Sequence, residues 1–428
     1  MAAFTPPPGT ADIFEDEARS WRFLETTAAR VFSGYGYGEL RTPIFEYTEV
    51  FQRGLGGETE VVQKEMYTFN DRGGRSLTLR PEGTAGVMRA LSNTDVANGT
   101  EQRVFYYGPM FRGERPSAGR RRQFHQIGVE NVGRCAPLID AECIAMLYNY
   151  LCEIGIKDAS FIINTRGVAE DRAPAEQLLR EYFSKHLDKM CPDCRTRFER
   201  NIWRILDCKQ AECGKIIADA PDYVESFTDS SKAYFAEVKA ALDLLGVPYK
   251  VNSRLVRGLD YYVHTVFEVV HSGLGEQIAI AGGGRYELFL PGEKRPIPGV
   301  GFAAGMERLL LVREALQLPP PDVQKTAVYL IGLGAPARLA NMKLASALRK
   351  AGIRVEMELE ERSFKAQMRS ANRSQAQFAV LRGDNELASG IAIPRCTDLN
   401  APKHGEYAFF RTAPANLLEP HEVYRKFF

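Results

Sequence analysis

Between residues 104 and 131 the chain reads VFYYGPMFRGERPSAGRRRQFHQIGVEN, two apolar, strand-like runs around a loop rich in Gly, Pro, Ser and Arg. No other stretch limits the fold so narrowly. A hairpin of this kind must pair in one register, and that register commits alternate side chains to one face. Val104 to Tyr107 and Gln123 to Glu130 are the expected strands. Arg112, Phe124, Gln126 and Glu130 alternate with apolar neighbours, so they are expected on one face of a sheet. Arg112 and Arg115 leave the first strand, and Arg120, Arg121 and Arg122 cluster before the second. Guanidinium groups stay charged and present a planar fork of donors, so several on facing strands suit a polyphosphate better than a single carboxylate. Basic turns are more often merely solvated, so the loop alone does not decide its role.

The segment FRGERPSAGRRRQFHQ resembles motif 2 of the class II aminoacyl-tRNA synthetases, in the form carried by bacterial-type histidyl-tRNA synthetases. Other stretches extend the resemblance over nearly the whole chain. An amphipathic helix expected at 12–34, followed by GYGYGELRTPIFEYTEVF, is similar to motif 1, which implies a homodimer. TLRPEGTAG, before a helix expected to start near Thr84, resembles the segment that holds the substrate amino group. SRLVRGLDYYVHTVFEVV at 253–270 and AIAGGGRYELFL at 279–290 resemble the two signature peptides of the family. PIPGVGFAAGMERLLLVREAL at 296–316 resembles motif 3, a strand leading into a helix that carries Arg308.

The expected fold is therefore α/β, with a class II antiparallel sheet flanked by helices. The implied divisions are a catalytic core in two parts, 1–167 and 249–318, a helical insertion at 168–248, a linker at 319–325 and an anticodon-binding domain at 326–428. The linker LPPPDVQK marks a boundary by composition alone, and beyond it VYLIGL, RVEME and FAVLRG alternate with helical patterns at 336–351 and 363–376. GIAIPRCTDLNAPKHGEYAF is longer and less regular than the family pattern.

Composition agrees with that organisation without pointing to it. The chain has 428 residues, 45% hydrophobic and 25% charged, enough for two or three domains and too apolar for disorder. Its net charge is +1, but residues 326–428 carry 15 Lys and Arg against 10 Asp and Glu, a mild basic bias compatible with RNA. The first 21 residues lack the apolar core of a secretory signal, and no run approaches the roughly 18 apolar residues that span a bilayer, so the expected location is the cytoplasm, away from any membrane. Eight cysteines in such a chain do not read as a secreted disulfide framework. Cys191, Cys194, Cys208 and Cys213, spaced C-x2-C-x13-C-x4-C, leave three readings open: a structural zinc, inert reduced thiols, or a redox pair.

The resemblance implies a reaction and a site. Histidine would be activated with ATP, carried in with Mg2+, and then passed to tRNA(His). Arg112 and Arg257 would be catalytic at the α-phosphate. Glu114, Arg120, Phe124 and Arg308 would complete the ATP site, with Phe124 on the adenine. Glu82, Thr84 and Gln126 would hold the histidine amino group, and Glu130 and Tyr262, with Tyr261 beside them, would read the imidazole. A neutral imidazole offers one donor and one acceptor nitrogen, so its reader needs one group of each kind. Gly113 and Ser117-Ala118 depart from the family pattern at the loop expected to meet the tRNA acceptor end. A regulatory paralogue of the synthetases is the main rival, and the intact arginines at 112, 257 and 308 weigh against it.

Overall fold

Residues 102–132 form the expected hairpin. Gln102–Phe111 and Gln123–Val132 pair antiparallel from Gln102 opposite Val132 to Phe111 opposite Gln123. Alternation sorts their side chains onto two faces. Phe105, Ile127 and Val129 enter the main apolar core, while Tyr106 and Met110 enter a second cluster on the opposite side. The first strand runs longer at both ends than the expected 104–107, toward the turn because Gly108 and Pro109 are accommodated within the ladder opposite Gln126 and His125. The second starts at Gln123 as expected and runs two residues further, to Val132.

The computed structural model describes residues 4–55, 59, 61–117, 119–256, 261–274, 279–289, 295–319, 326–389, 391–396 and 410–411. The chain divides into two compact units, Met1–Pro319 and Pro320–Phe428. In the first, the hairpin lies within an eight-stranded sheet. The spatial order is Gly38–Glu39, Gln102–Phe111, Gln123–Val132, Ile297–Gly305, Ala279–Leu288, Tyr262–Val270, Ser160–Thr165 and Tyr249–Val251. The inner strands are antiparallel, as expected, and the two short outermost strands pair parallel to their neighbours, so the sheet is mixed.

Helices cover one face of this sheet. Glu15–Gly34 buries Trp21, Leu24, Ala28 and Phe32, a stripe at helical spacing, against Phe105 and Phe302. Pro137–Glu153 and Met306–Ala315 join it in the same core. A fully buried ion pair locks this layer: Arg285 Nε donates to Asp140 Oδ1 at 2.7 Å, and Arg285 Nη1 donates to the Arg134 carbonyl at 2.9 Å. Near the other face a small three-stranded sheet, Phe45–Tyr47, Ser76–Leu79 and Thr68–Asn70, leads into the helix Thr84–Leu91.

Residues 169–244 are helical. Ala169–Phe183, Pro192–Arg200 and Ala211–Ala218 share an apolar core of their own with Trp203 and Tyr223, whereas Asp229–Leu244 sends Phe235, Val238 and Leu242 into the main core. The second unit is a five-stranded sheet ordered Val355–Met357, Val328–Gly332, Phe378–Arg382, Ile391–Cys396 and Phe410–Arg411, with helices Ala335–Lys350 and Phe364–Arg373. Its first three strands are parallel and join through helices, as the alternating pattern requires, and the last two, in the irregular segment, are antiparallel additions. Among the described residues no helix is long and apolar enough to cross a membrane.

Candidate active site

Two adjoining cavities open on the face of the main sheet opposite the helical layer. The inner one is lined by Glu82, Thr84, Tyr106, Glu130, Tyr261, Tyr262 and Tyr286. The outer one is lined by Glu114, Arg120, Arg121, Phe124, Glu307 and Arg308. Arg112, Gln126, Gly282 and Ala303 line both, so the two form one continuous site with Arg112 and Gln126 at the junction.

The inner cavity is built on a helix start and a strand. Glu82 accepts from the Thr84 and Ala85 amides at 2.7 and 2.8 Å, placing a carboxylate at the N-terminus of Thr84–Leu91, where the helix dipole favours it. Burial pushes its pKa up; the amide hydrogen bonds and Arg112 pull it back. Opposite, Thr84 Oγ1 donates to Glu130 Oε1 at 2.7 Å and Tyr286 Oη donates to Oε2 at 2.8 Å. Glu130 is 2% exposed, and burial, reinforced by the nearby Glu82, pushes its pKa up to about 8 against the partial relief of those two bonds. It is therefore a proton carrier near neutrality. Gln126 Oε1 is buried with no hydrogen-bond partner among the described residues, an acceptor on the wall between the two cavities.

Glycines make room for this arrangement. A Cβ on Gly301 would overlap Glu130 Oε2, and one on Gly299 would overlap the Tyr286 ring. Gly83, just before the helix Thr84–Leu91, and Gly128, on Gln123–Val132, clasp the ring of Tyr106 in the same way. Tyr261 and Tyr262 lie with ring centroids 4.8 Å apart, and Tyr261 meets Tyr286 edge-on at 5.8 Å.

The outer cavity gathers positive charge. Arg308 has its ordinary pKa lowered by burial first and then by the repulsion of Arg120 and, more weakly, Arg112, while Glu114 opposes that shift. Cations held close enough to repel one another, with one partly exposed carboxylate among them, make an anion site. Arg308 Nε donates to the Gly119 carbonyl at 2.9 Å and its Nη1 to the Ala279 carbonyl, so it also pins the basic loop to the sheet. Arg112 Nε donates to the Pro81 carbonyl at 3.0 Å, and its guanidinium lies 5.3 Å from the Phe124 ring centroid. Glu307 accepts from the His125 amide at 3.0 Å and tethers the helix start to the strand carrying Phe124. At the loop tip, Ser117 and Arg120 exchange backbone hydrogen bonds, and the Gly113 amide donates to the Glu65 carbonyl at 2.7 Å.

A family model described as Histidyl-tRNA synthetase matches residues 9–309, and one described as Anticodon binding domain matches residues 327–395. The chain belongs to the histidyl-tRNA synthetase family. It is 46% identical over 388 residues to the histidine–tRNA ligase of Halothermothrix orenii, covering 90% of this chain and 93% of that protein. The histidine–tRNA ligase of Pelotomaculum thermopropionicum is 45% identical over 393 residues. The crystal structure of apo histidyl-tRNA synthetase from S. aureus superposes with a TM-score of 0.79 at 33% identity, covering 96% of this chain and 97% of that one. A Bacillus halodurans structure titled as an ATP phosphoribosyltransferase regulatory subunit/histidyl-tRNA synthetase shares the fold, with a TM-score of 0.66 at 20% identity.

For this synthetase-family chain the structure brings together Glu82, Thr84, Arg112, Gln126, Glu130, Tyr261 and Tyr262 around one cavity, and Glu114, Arg120, Phe124 and Arg308 around the other. Arg257 and Ala118 lie outside the described residues. Sequence reasoning missed Tyr106, Tyr286 and Glu307. The signal for the first two was the glycines: Gly299 faces the Tyr286 ring, and Gly83 and Gly128 face that of Tyr106.

Proposed function

We propose that this chain is a histidine–tRNA ligase that works in the cytoplasm as a homodimer. It condenses histidine with ATP, taken as its magnesium complex, to histidyl-adenylate and pyrophosphate, and then transfers the histidyl group to the 3′-terminal ribose of tRNA(His), releasing AMP. The observation that carries this reading is the junction: a cavity walled by buried carboxylates and tyrosines opens, past Arg112 and Gln126, into one walled by arginines and an aromatic ring.

In activation a histidine carboxylate oxygen attacks the α-phosphorus and pyrophosphate departs. Negative charge grows on the α-phosphate oxygens, and fixed cations there lower the barrier by several kcal/mol. In this reading Arg112 serves that position, and Arg257 bridges it to the carboxylate. Arg120 and Arg308 hold the outer phosphates beside Glu114, and Phe124 stacks on adenine. Glu82, Thr84 and the unpaired Gln126 oxygen receive the ammonium group. Glu130 reads one imidazole nitrogen and Tyr262 the other, with Tyr261 beside them and Tyr286 orienting Glu130. A site that hydrogen-bonds both nitrogens rejects apolar analogues by about 10⁴ or more, because the wrong ligand leaves buried polar groups unpaired.

The divisions follow the chemistry. Segments 1–167 and 249–318 form the catalytic core. The helical stretch 168–248 approaches the acceptor arm, and 326–428, after the linker 319–325, reads the anticodon. The motif 1 helix and strand pair the two subunits.

The test is amino-acid-dependent ATP–pyrophosphate exchange across all twenty amino acids. Exchange with histidine alone supports the assignment. Exchange with another amino acid refutes the roles of Glu130 and Tyr262, and none from folded protein refutes the enzymatic reading in favour of a regulatory relative.

A further inference from the structure

The helical stretch between the two halves of the sheet carries a cluster that the catalytic reading leaves unused. Cys191 and Cys194 bracket the first turn of Pro192–Arg200, Cys208 follows the turn Ile202–Asp207, and Cys213 lies in Ala211–Ala218. Three separate pieces of chain thus deliver four thiols to one point. All four Sγ atoms lie within 4.8 Å of one another, and the Sγ atoms of Cys191 and Cys208 are 3.8 Å apart. Four sulfurs about 2.3 Å from a central zinc sit at tetrahedral corners about 3.8 Å apart. We propose that Cys191, Cys194, Cys208 and Cys213 hold a structural zinc ion.

Three further observations favour a metal over packed thiols. The cysteines are a mixed set, Cys194 and Cys213 buried and Cys191 and Cys208 only partly so, which places the cluster at the edge of the satellite core rather than wholly inside it. The Cys191 amide donates to Cys213 Sγ at 3.3 Å, an outer hydrogen bond of the kind that steadies a ligating thiolate. Arg195 ties the preceding loop by donating to the carbonyls of Met190 and Asp188 at 3.0 and 3.1 Å, fixing the approach to Cys191. Cys191, Cys194, Cys208 and Cys213 are all free, which removes a disulfide as the reason for the cluster. Four thiolates and no histidine or carboxylate form a closed set that suits zinc and leaves no open position for catalysis.

The ion explains how this stretch holds its shape. Pro192–Arg200 has 9 residues and Ala211–Ala218 has 8, lengths at which an isolated helix is unstable. They lean on a satellite core of modest size around Trp203 and Tyr223, and a tetrathiolate zinc would staple their ends.

The experiment is elemental analysis of the full-length protein purified without chelator. About one zinc per chain is expected, falling to background in the Cys194→Ser/Cys208→Ser variant. Because that variant could unfold the stretch, the wild-type protein is also titrated with a thiol-specific mercurial and released zinc is read with a chromogenic chelator. One zinc released per chain as the cluster thiols react, beyond the exposed Cys135, supports the site. Cobalt exchange should give the intense visible bands of tetrahedral thiolate coordination. Zinc at background level in the wild type with four freely reactive thiols, iron in place of zinc, or zinc retained in the double variant would each overturn the proposal.

Discussion

Replacing Glu130 with Gln should stabilise the protein and cripple the site, with a pH dependence that follows from the fold. Folded Glu130 titrates near 8, against 4.5 for an ordinary glutamate. Over that interval the native state holds a proton that the unfolded chain has lost. Its stabilising contribution is complete below pH 4.5 and disappears as the pH rises through 8, at about 1.4 kcal/mol per pH unit. Between pH 5 and pH 8 that amounts to about 4 kcal/mol, which the non-titrating Gln does not lose. Glu82 is also buried with a raised pKa, but it is present in both proteins and largely cancels from the difference. The stability of Glu130→Gln relative to wild type should therefore widen across this range, appearing as a relative rise in Tm of roughly 5–10 °C in paired melts. The same variant loses a carboxyl group that can either donate to or accept from the substrate imidazole, and should raise the histidine KM in ATP–pyrophosphate exchange by about 10- to 100-fold. Parallel melting profiles for the two proteins would mean that Glu130 stays ionised in the fold, and the reasoning would fail.

Gly301→Ala places a methyl group against both Glu130 Oε2 and the Val129 carbonyl, so the Tm should fall and histidine KM should rise about tenfold or more; an unshifted melt with unchanged histidine kinetics would show that both neighbours yield freely. Asp140→Ala strips the partner from a fully buried Arg285 and should cost about 3–5 kcal/mol, read as a lower Tm; an unshifted melt would refute the pair's structural role. Arg308→Ala should raise ATP KM by about 10- to 100-fold with little change for histidine, checked in the same exchange assay.

Much of the site is legible in the chain because strand alternation is local. Phe124, Gln126 and Glu130 share a face by their spacing alone, and Glu82 and Thr84 announce a helix start. Tyr286 is not legible in that way. Its strand alternates regularly, since Ala281–Leu288 pairs in unbroken register with Ile297–Ala304 and the irregularity beside Gly284 lies in Tyr262–Val270, but its partner Glu130 stands 156 residues earlier, a pairing no local count shows. Arg285 itself reads as a candidate for solvent or phosphate, yet its partner is Asp140, 145 residues earlier, and no local pattern encodes such a pairing. Glu307 is hidden for the same reason: its partner His125 lies 182 residues away. The short parallel edge strands are equally silent, since Gly38–Glu39 and Tyr249–Val251 are too brief to show a period.

The unbroken ladder between Gln102–Phe111 and Gln123–Val132 sets which changes in chain length the protein can survive. One residue inserted within Gln123–Val132 would turn Gln126 and Glu130 into the helical layer and bring Ile127 and Val129 out to the substrate, inverting the site in a single step. The loop from Arg112 to Arg122 has no pairing register to keep, although Arg308 holds its Gly119 carbonyl and Arg112, Glu114, Arg120 and Arg121 line the outer cavity. Lengthening or trimming it would alter the outer cavity, and the inner one only through Arg112. The hairpin thus joins a part whose register is frozen to a part where a change of length reshapes the outer cavity first.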